Sequence, residues 1–287
     1  MKITTYIKSC FLIGLFFFNS VYAQNSEVGF IDHLYNTQQY DHLKLYGHRI
    51  LDSVRNSELK NKTAFLLGNI YFQEKSFESA INYFDLLNGD YPEYNEALFY
   101  TSFSHTALKQ FSLAKETLTP LPANDSLLQD FKYFQYAGIA LLERDKEKFY
   151  AWNDSIQHTY YFFQKQQASL ESTADQLFKR KQKSPFVGGL LTAVVPGAGR
   201  FYAGKRGQGI YSFVITSFLA LQTWESYRKS GPESPRFIIY GSLLTAFHIG
   251  NIWGSALSVK NYQNEYNEAA NYSIELDLLI PIRSFFK

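Results

Sequence analysis

The hydrophobic and polar positions divide the chain into three zones. From Ser26 to about Lys183, apolar residues recur at helical spacing among polar ones. From Pro185 the composition turns to Gly, Val, Ile, Leu and Phe, and beyond Asn261 polar residues return. In the first zone the clearest unit is Asn61–Tyr94, with Ala64, Leu67, Gly68, Tyr71, Phe77, Ala80, Phe84, Leu87 and Pro92 at its key positions. Phe111 and Ala114 follow Phe77 and Ala80 after 34 residues each, so a second unit spans Asn95–Ala123, with Thr101-Ser102 where Leu67-Gly68 stood. Leu34, Tyr40, Leu43 and Ile50 fit an earlier hairpin over 27–55. Phe134, Ala137, Gly138 and Leu141 open a later one that ends near Trp152. The residue types fit helix pairs: small Gly68 and Ala80 permit close approach, the aromatics fill the space between pairs, and Pro92, which cannot continue the second helix, is expected to start the next unit.

Residues 159–184 read as a linker helix with a basic end, Lys179-Arg180-Lys181-Gln182-Lys183. Its charges fit either a solvated face or contact with anionic lipid headgroups. A membrane domain is expected at 185–262, with transmembrane helices at about 208–225 and 237–259; the second holds no Asp, Glu, Lys or Arg. Trp224, Tyr227, Tyr240 and Trp253 suit interfacial anchoring. Pro185–Val195 is too short to cross and reads as interfacial, re-entrant or a half-helix. Gly250 and Gly254 form a small-xxx-small pair suited to helix association in lipid. In the tail, 263–287, Ile274, Leu276 and Leu278 alternate with Glu275 and Asp277, which predicts a strand.

The first residues bear on compartment. Lys2 and Lys8 precede the apolar run Cys10–Phe18, and Val21-Tyr22-Ala23 forms a small-residue cleavage pattern, so 1–23 is expected to be a signal peptide. An uncleaved anchor is the other reading. Cys10 is the only cysteine, so a cleaved chain has no thiol for a disulfide, nucleophile or metal site. The leader puts the repeats in the periplasm, whereas the basic residues around Lys179–Arg206 favour the cytoplasmic side for that end of the membrane domain.

The 34-residue unit, with its Leu-Gly pair, Tyr, Ala, Phe and late Pro, resembles the tetratricopeptide repeat. The resemblance covers most of 24–158 and implies an α-solenoid of helical hairpins with a concave binding surface. Pro196-Gly197-Ala198-Gly199-Arg200-Phe201-Tyr202-Ala203-Gly204, with Gly209 after it, resembles the Pro-Gly-x-Gly-x-x-Tyr-x-Gly signature of small two-helix membrane domains that follow repeat regions in envelope proteins of Bacteroidetes-like bacteria. The fold class expected is therefore mainly α: an N-terminal α-solenoid of TPR-like hairpins followed by a small α-helical transmembrane domain.

Catalytic chemistry finds little purchase. Gly199 to Arg206 mimics a phosphate-binding loop, but Arg206 stands where a Ser or Thr must ligate magnesium. His33, His42, His48, His105, His158 and His248 lack metal-ligand spacing. A net charge of +2 gives no call for nucleic acid. No enzyme activity, cofactor or metal is expected. The expected role is a membrane-attached scaffold in the cell envelope, active in protein assembly and holding a protein or peptide partner through Tyr71, Tyr100, His105 and Tyr136. Pro196, Gly197, Gly199, Tyr202, Gly204 and Gly209 form its membrane motif. The alternative is a membrane-embedded transport or assembly component acting through Pro196–Gly209 and His248, an ionisable residue inside an apolar run. The blander account of His248 is a hydrogen bond to Ser242, Thr245 or Asn251.

Overall fold

The computed structural model describes residues 27–53, 56–158 and 160–286. The leader expected at 1–23 lies outside them. Among the described residues all regular structure is helical, so the protein is mainly α. The helices are α1 (27–36), α2 (Tyr40–Ser53), α3 (Ser57–Gln73), α4 (Phe77–Phe84), α5 (Tyr94–Ala107), α6 (Phe111–Thr117), α7 (Ser126–Leu142), α8 (Lys146–Asp154), α9 (Tyr161–Lys179), α10 (Pro185–Val194), α11 (Ala198–Tyr202), α12 (Arg206–Ser230) and α13 (Pro235–Phe285). They fall into two compact units. One holds the described residues up to Leu170 together with those from Glu275 to Phe286, and the other holds Glu171–Ile274.

The first unit is built from four helical hairpins, α1/α2, α3/α4, α5/α6 and α7/α8, whose turns share one geometry. Gln38, Lys75, Lys109 and Arg144 sit at left-handed φ of 57°, 61°, 60° and 62°. In each turn the next residue's N–H reaches back five residues: Gln39 to Leu34 O, Ser76 to Tyr71 O, Gln110 to His105 O and Asp145 to Ala140 O, at 2.8–2.9 Å. The left-handed residue itself donates to the carbonyl three back. This double closure satisfies the orphan carbonyls of the first helix in every pair and aims the chain back along it. Seven residues before each left-handed position stand Ile31, Gly68, Ser102 and Ala137, and five after it stand Leu43, Ala80, Ala114 and Phe149; all eight are buried. These are the points where paired helices touch. A Cβ on Gly68 would meet the Phe84 ring at 2.5 Å, and Ser102, one repeat later, donates its hydroxyl to Ala114 O at 2.7 Å. Asn56, Asp125 and Asp145 cap α3, α7 and α8 by accepting from Leu59, Leu128 and Lys148 N–H.

Helix α4 ends at Phe84, and Pro92 lies in the connection just before α5, the first helix of the next hairpin. The expected C-terminal strand is absent, because 275–285 is the end of α13. Its buried residues are Ile274, Asp277, Leu278, Pro281 and Ile282, a helical spacing of three and four, while Leu276 is exposed. The last turns of α13 complete the first unit. Leu278 packs where Gly138 leaves room on α7, and the buried Gln135 amide donates to Leu278 O at 3.1 Å. Phe285 meets the Phe131 and Phe162 rings at 5.8 and 4.9 Å, and Phe286 meets Phe99 at 5.6 Å. A linker helix was expected at 159–184; α9 stops at Lys179, and an irregular segment leads to α10.

The second unit inverts the usual distribution of polarity. Its buried side chains include Thr192, Ser212, Thr216, Ser226, Asn251 and Ser255. Its exposed ones include Phe186 and Val194 on α10, Ile210, Phe218, Leu221 and Trp224 on α12, and Ile239, Ile249 and Trp253 on α13, each more than half exposed. Each helix turns a stripe of small or polar residues to its neighbours: Gly188, Gly189 and Thr192; Gly209, Ser212 and Thr216; Asn251 and Ser255. Among the described residues no helix is long and apolar enough to cross a membrane. The spans expected at 208–225 and 237–259 are helical, but inward hydroxyls, His248 and Asn251 dilute the hydropathy of both runs.

Candidate partner groove and apolar belt

The first unit carries a cavity of about 560 Å³ to which three hairpins contribute their first helices. Tyr35 of α1, Asn69, Phe72 and Gln73 of α3, Glu96 and Tyr100 of α5, and Arg283 and Phe286 from the C-terminal segment line it. Tyr40 OH donates to Gln73 Oε1 at 3.3 Å, and Gln73 Nε2 donates to Tyr35 OH at the same distance. Glu96 is pushed up to about 7, first by burial and then by the neighbouring Glu93 charge. Tyr100 is raised to about 12, by burial first and the Glu96 charge second. A larger hollow of about 630 Å³ lies against the 88–93 connection, but α3 is the one helix that lines it.

The four residues expected to form a groove do not converge there. Tyr100 lines the cavity. Tyr71 stacks on Tyr83, 5.2 Å between centroids and nearly parallel, with Lys44 Nζ 5.0 Å above its ring. His105 Nδ1 lies 2.7 Å from Gln110 Oε1 in its own hairpin turn. Tyr136 is a buried strut: its hydroxyl donates to Lys115 O at 2.7 Å and its ring packs on Trp152. Tyr35, Gln73, Glu96 and Arg283 were missed. A first-helix register would have flagged the first three; nothing local marks Arg283, whose partners lie far back in the chain.

In the second unit the motif residues serve packing. Gly197 holds φ 84°, and a Cβ there would overlap Gly209 O. A Cβ on Gly199 would overlap Gly188 O and sit 2.6 Å from Thr192 Oγ1, so α11 rests backbone to backbone on α10. Gly204 has φ 81° in the turn before α12. Pro196 follows the end of α10. Tyr202 OH accepts from Ser184 N–H at 3.2 Å, and Lys183 Nζ donates to Tyr202 O at 2.7 Å. Around these glycines runs a buried polar network. Gly199 N–H donates to Thr192 Oγ1, which donates to Ser255 Oγ at 2.7 Å. Ser212 Oγ donates to Asn251 Oδ1 at 3.2 Å, Asn251 Nδ2 donates to Thr216 Oγ1 at 3.1 Å, and Arg200 donates to Ser212 Oγ. His248 takes no part in this network, and its buried Nδ1 has no partner among the described residues, so the expected hydrogen bond with Ser242, Thr245 or Asn251 is not made at that nitrogen. Gly254 faces the Arg200 guanidinium and Gly250 meets open space, so the two glycines do not act together within the chain.

Comparison with known protein families, curated proteins and solved structures gave no match.

Proposed function

We propose that the protein is a non-enzymatic, membrane-attached scaffold of a cell envelope, whose TPR-like helical repeats hold a segment of a protein partner. The observation that carries this reading is the inverted second unit. Apolar side chains outside and paired hydroxyls and amides inside are the arrangement that a lipid surrounding favours and water does not. Attachment needs an apolar outer face and not an unbroken apolar run, because hydropathy averaged around a helix also counts its inward polar stripe. The leader pattern of 1–23 supports an envelope location.

The groove supports the scaffold role. The chain's own C-terminal helix packs on α5 and α7, while the cavity over α1, α3 and α5 stays open beside Arg283. A helix resting on repeat helices is the mode by which such surfaces take amphipathic ligands. The alternative, transport through Pro196–Gly209 and His248, has less support, since the motif glycines are spent on helix contacts.

Reconstitution of the full chain into vesicles with brominated acyl chains tests the membrane half. Trp224 and Trp253, 62% and 76% exposed, should be quenched, and Trp152 should not. Unchanged emission from both exposed tryptophans would sink the reading. A photo-crosslinking residue at Gln73 should capture one protein, and capture should vanish when Tyr35 and Tyr100 become Ala.

A further inference from the structure

We infer that one end of the second unit binds the phosphate headgroups of anionic phospholipids; this rests on the membrane reading above and adds the lipid class. At this end α10 begins, α12 begins and the apolar run of α13 finishes. Contacts tie the three together. Arg180 lies over the Tyr266 and Tyr262 rings, at 3.6 and 5.0 Å, and Lys183 lies 5.5 and 5.1 Å over Tyr202 and Tyr262. Gln263 donates to Lys183 O. Lys205 pairs with Glu265 at 3.0 Å. The basic segment after α9 is thus fixed against α13 through aromatic faces, which hold a cation without neutralising it.

Besides Arg180 and Lys183, four cations here have no carboxylate partner among the described residues: Lys181, Arg200, Arg206 and Lys260. Lys181, Arg206 and Lys260 are exposed. Arg200 has neutral acceptors only, Ser212 Oγ and Gln208 O, while its Nε is buried and unpartnered. Gly254 makes room for it, since a Cβ there would stand 2.9 Å from Nη2. An unpaired guanidinium beside an apolar surface calls for an anion, and a phosphodiester supplies charge and acceptors together. The apolar belt starts within a turn or two of these cations, at Phe186, Ile210 and Leu257. Acyl chains along the belt would place a headgroup at their level. The far end of the α12/α13 hairpin is nearly balanced: Lys229 pairs with Glu225, and Glu233 accompanies Arg228 and Arg236.

The test uses the full chain reconstituted in phosphatidylcholine bilayers with spin-labelled phosphatidylglycerol or phosphatidylcholine as probe. A cation at a membrane surface contributes about fivefold in association. Phosphatidylglycerol should therefore associate severalfold more strongly than phosphatidylcholine, and the preference should fall to near unity in K181Q/R206Q/K260Q. In R200Q it should weaken, with recovery in R200K; since the exposed triple variant leaves the core untouched, a misfolded R200Q does not blunt the test. Equal association of both lipids with the wild-type chain, or a preference that survives the triple variant, overturns the inference and leaves the membrane reading standing. Failure of the chain to enter either bilayer overturns both. Inorganic phosphate should lower the preference no more than chloride of equal ionic strength does; specific loss in phosphate would make the ligand a free anion and refute the lipid assignment.

Discussion

The docking of the C-terminal helix on α7 makes a sharp prediction, because Leu278 fills the space that Gly138 leaves. Leu278 is fully buried. Leu278→Ala removes that side chain beside a residue with no side chain to relax into the gap, so the cost should be about 3 kcal/mol, within the 2–5 kcal/mol range for such truncations. Gly138→Ala acts in the opposite sense. Its Cβ would overlap Leu278, and overpacking costs about 1–3 kcal/mol. Ala over Gly in a helix returns about 1 kcal/mol, so the single change should be neutral to moderately destabilising. In the Leu278→Ala background the clash is gone and only the helix gain remains, so Gly138→Ala should then stabilise by about 1 kcal/mol. The double-mutant cycle should show a coupling of about 2 kcal/mol in favour of the pair. Urea unfolding of the detergent-solubilised full chain, followed through Trp152 with Trp224 and Trp253 changed to Phe, reads it out. Equal effects of Gly138→Ala in both backgrounds would refute the contact, and a cost below about 0.5 kcal/mol for Leu278→Ala, the range for surface changes, would restore the C-terminus to a free tail.

Three further outcomes follow from the geometry. Gly199→Ala sets a methyl against Gly188 O and Thr192 Oγ1; it should cost about 3 kcal/mol, the upper end of overpacking because the obstacle is backbone, and lower the melting temperature of the second unit. Asp130 is buried and accepts from Gln157 N, His158 N and His158 Nδ1 at 2.9–3.1 Å; Asp130→Asn should cost about 2 kcal/mol and speed exchange of those two amides by at least tenfold. Burial and Glu93 raise Glu96 from 4.5 to about 7, so its contribution to stability is present below pH 4.5 and is lost as pH rises through about 7. Glu96→Gln should accordingly flatten the decline in urea midpoint across that window, and an unchanged decline would place its origin elsewhere.

The hairpins could be read from the chain because their contact points recur as residue types: Ala80 and Ala114, Phe77 and Phe111. Their turns could not, since the left-handed positions are Gln38, Lys75, Lys109 and Arg144, with no glycine to mark them. The end of α13 was misread because Ile274, Leu276 and Leu278 happen to alternate; the burial of Ile282, four beyond Leu278, shows the true period. The motif glycines stand out along the chain, but their service to helix contact lay beyond local reading: Gly199 is explained by Gly188 and Gly197 by Gly209. Tyr136 does not line the cavity because a tyrosine on a first helix can face its own repeat neighbours, as its bond to Lys115 O does. The inversion of the second unit could be seen only in part, because the inward stripe and the outward face share one sequence run.

The place of Glu275–Phe286 in the first unit has a consequence for biogenesis. Leu278, Phe285 and Phe286 belong to the same compact unit as α1–α8 yet leave the ribosome only after the whole apolar stretch. During synthesis the repeats wait with Phe99, Phe131 and Gly138 uncovered, so a translation product cut short after the apolar stretch carries an incomplete hydrophobic surface that chaperones and proteases can recognise. Completion of the fold thereby doubles as a check that translation ran through Phe286.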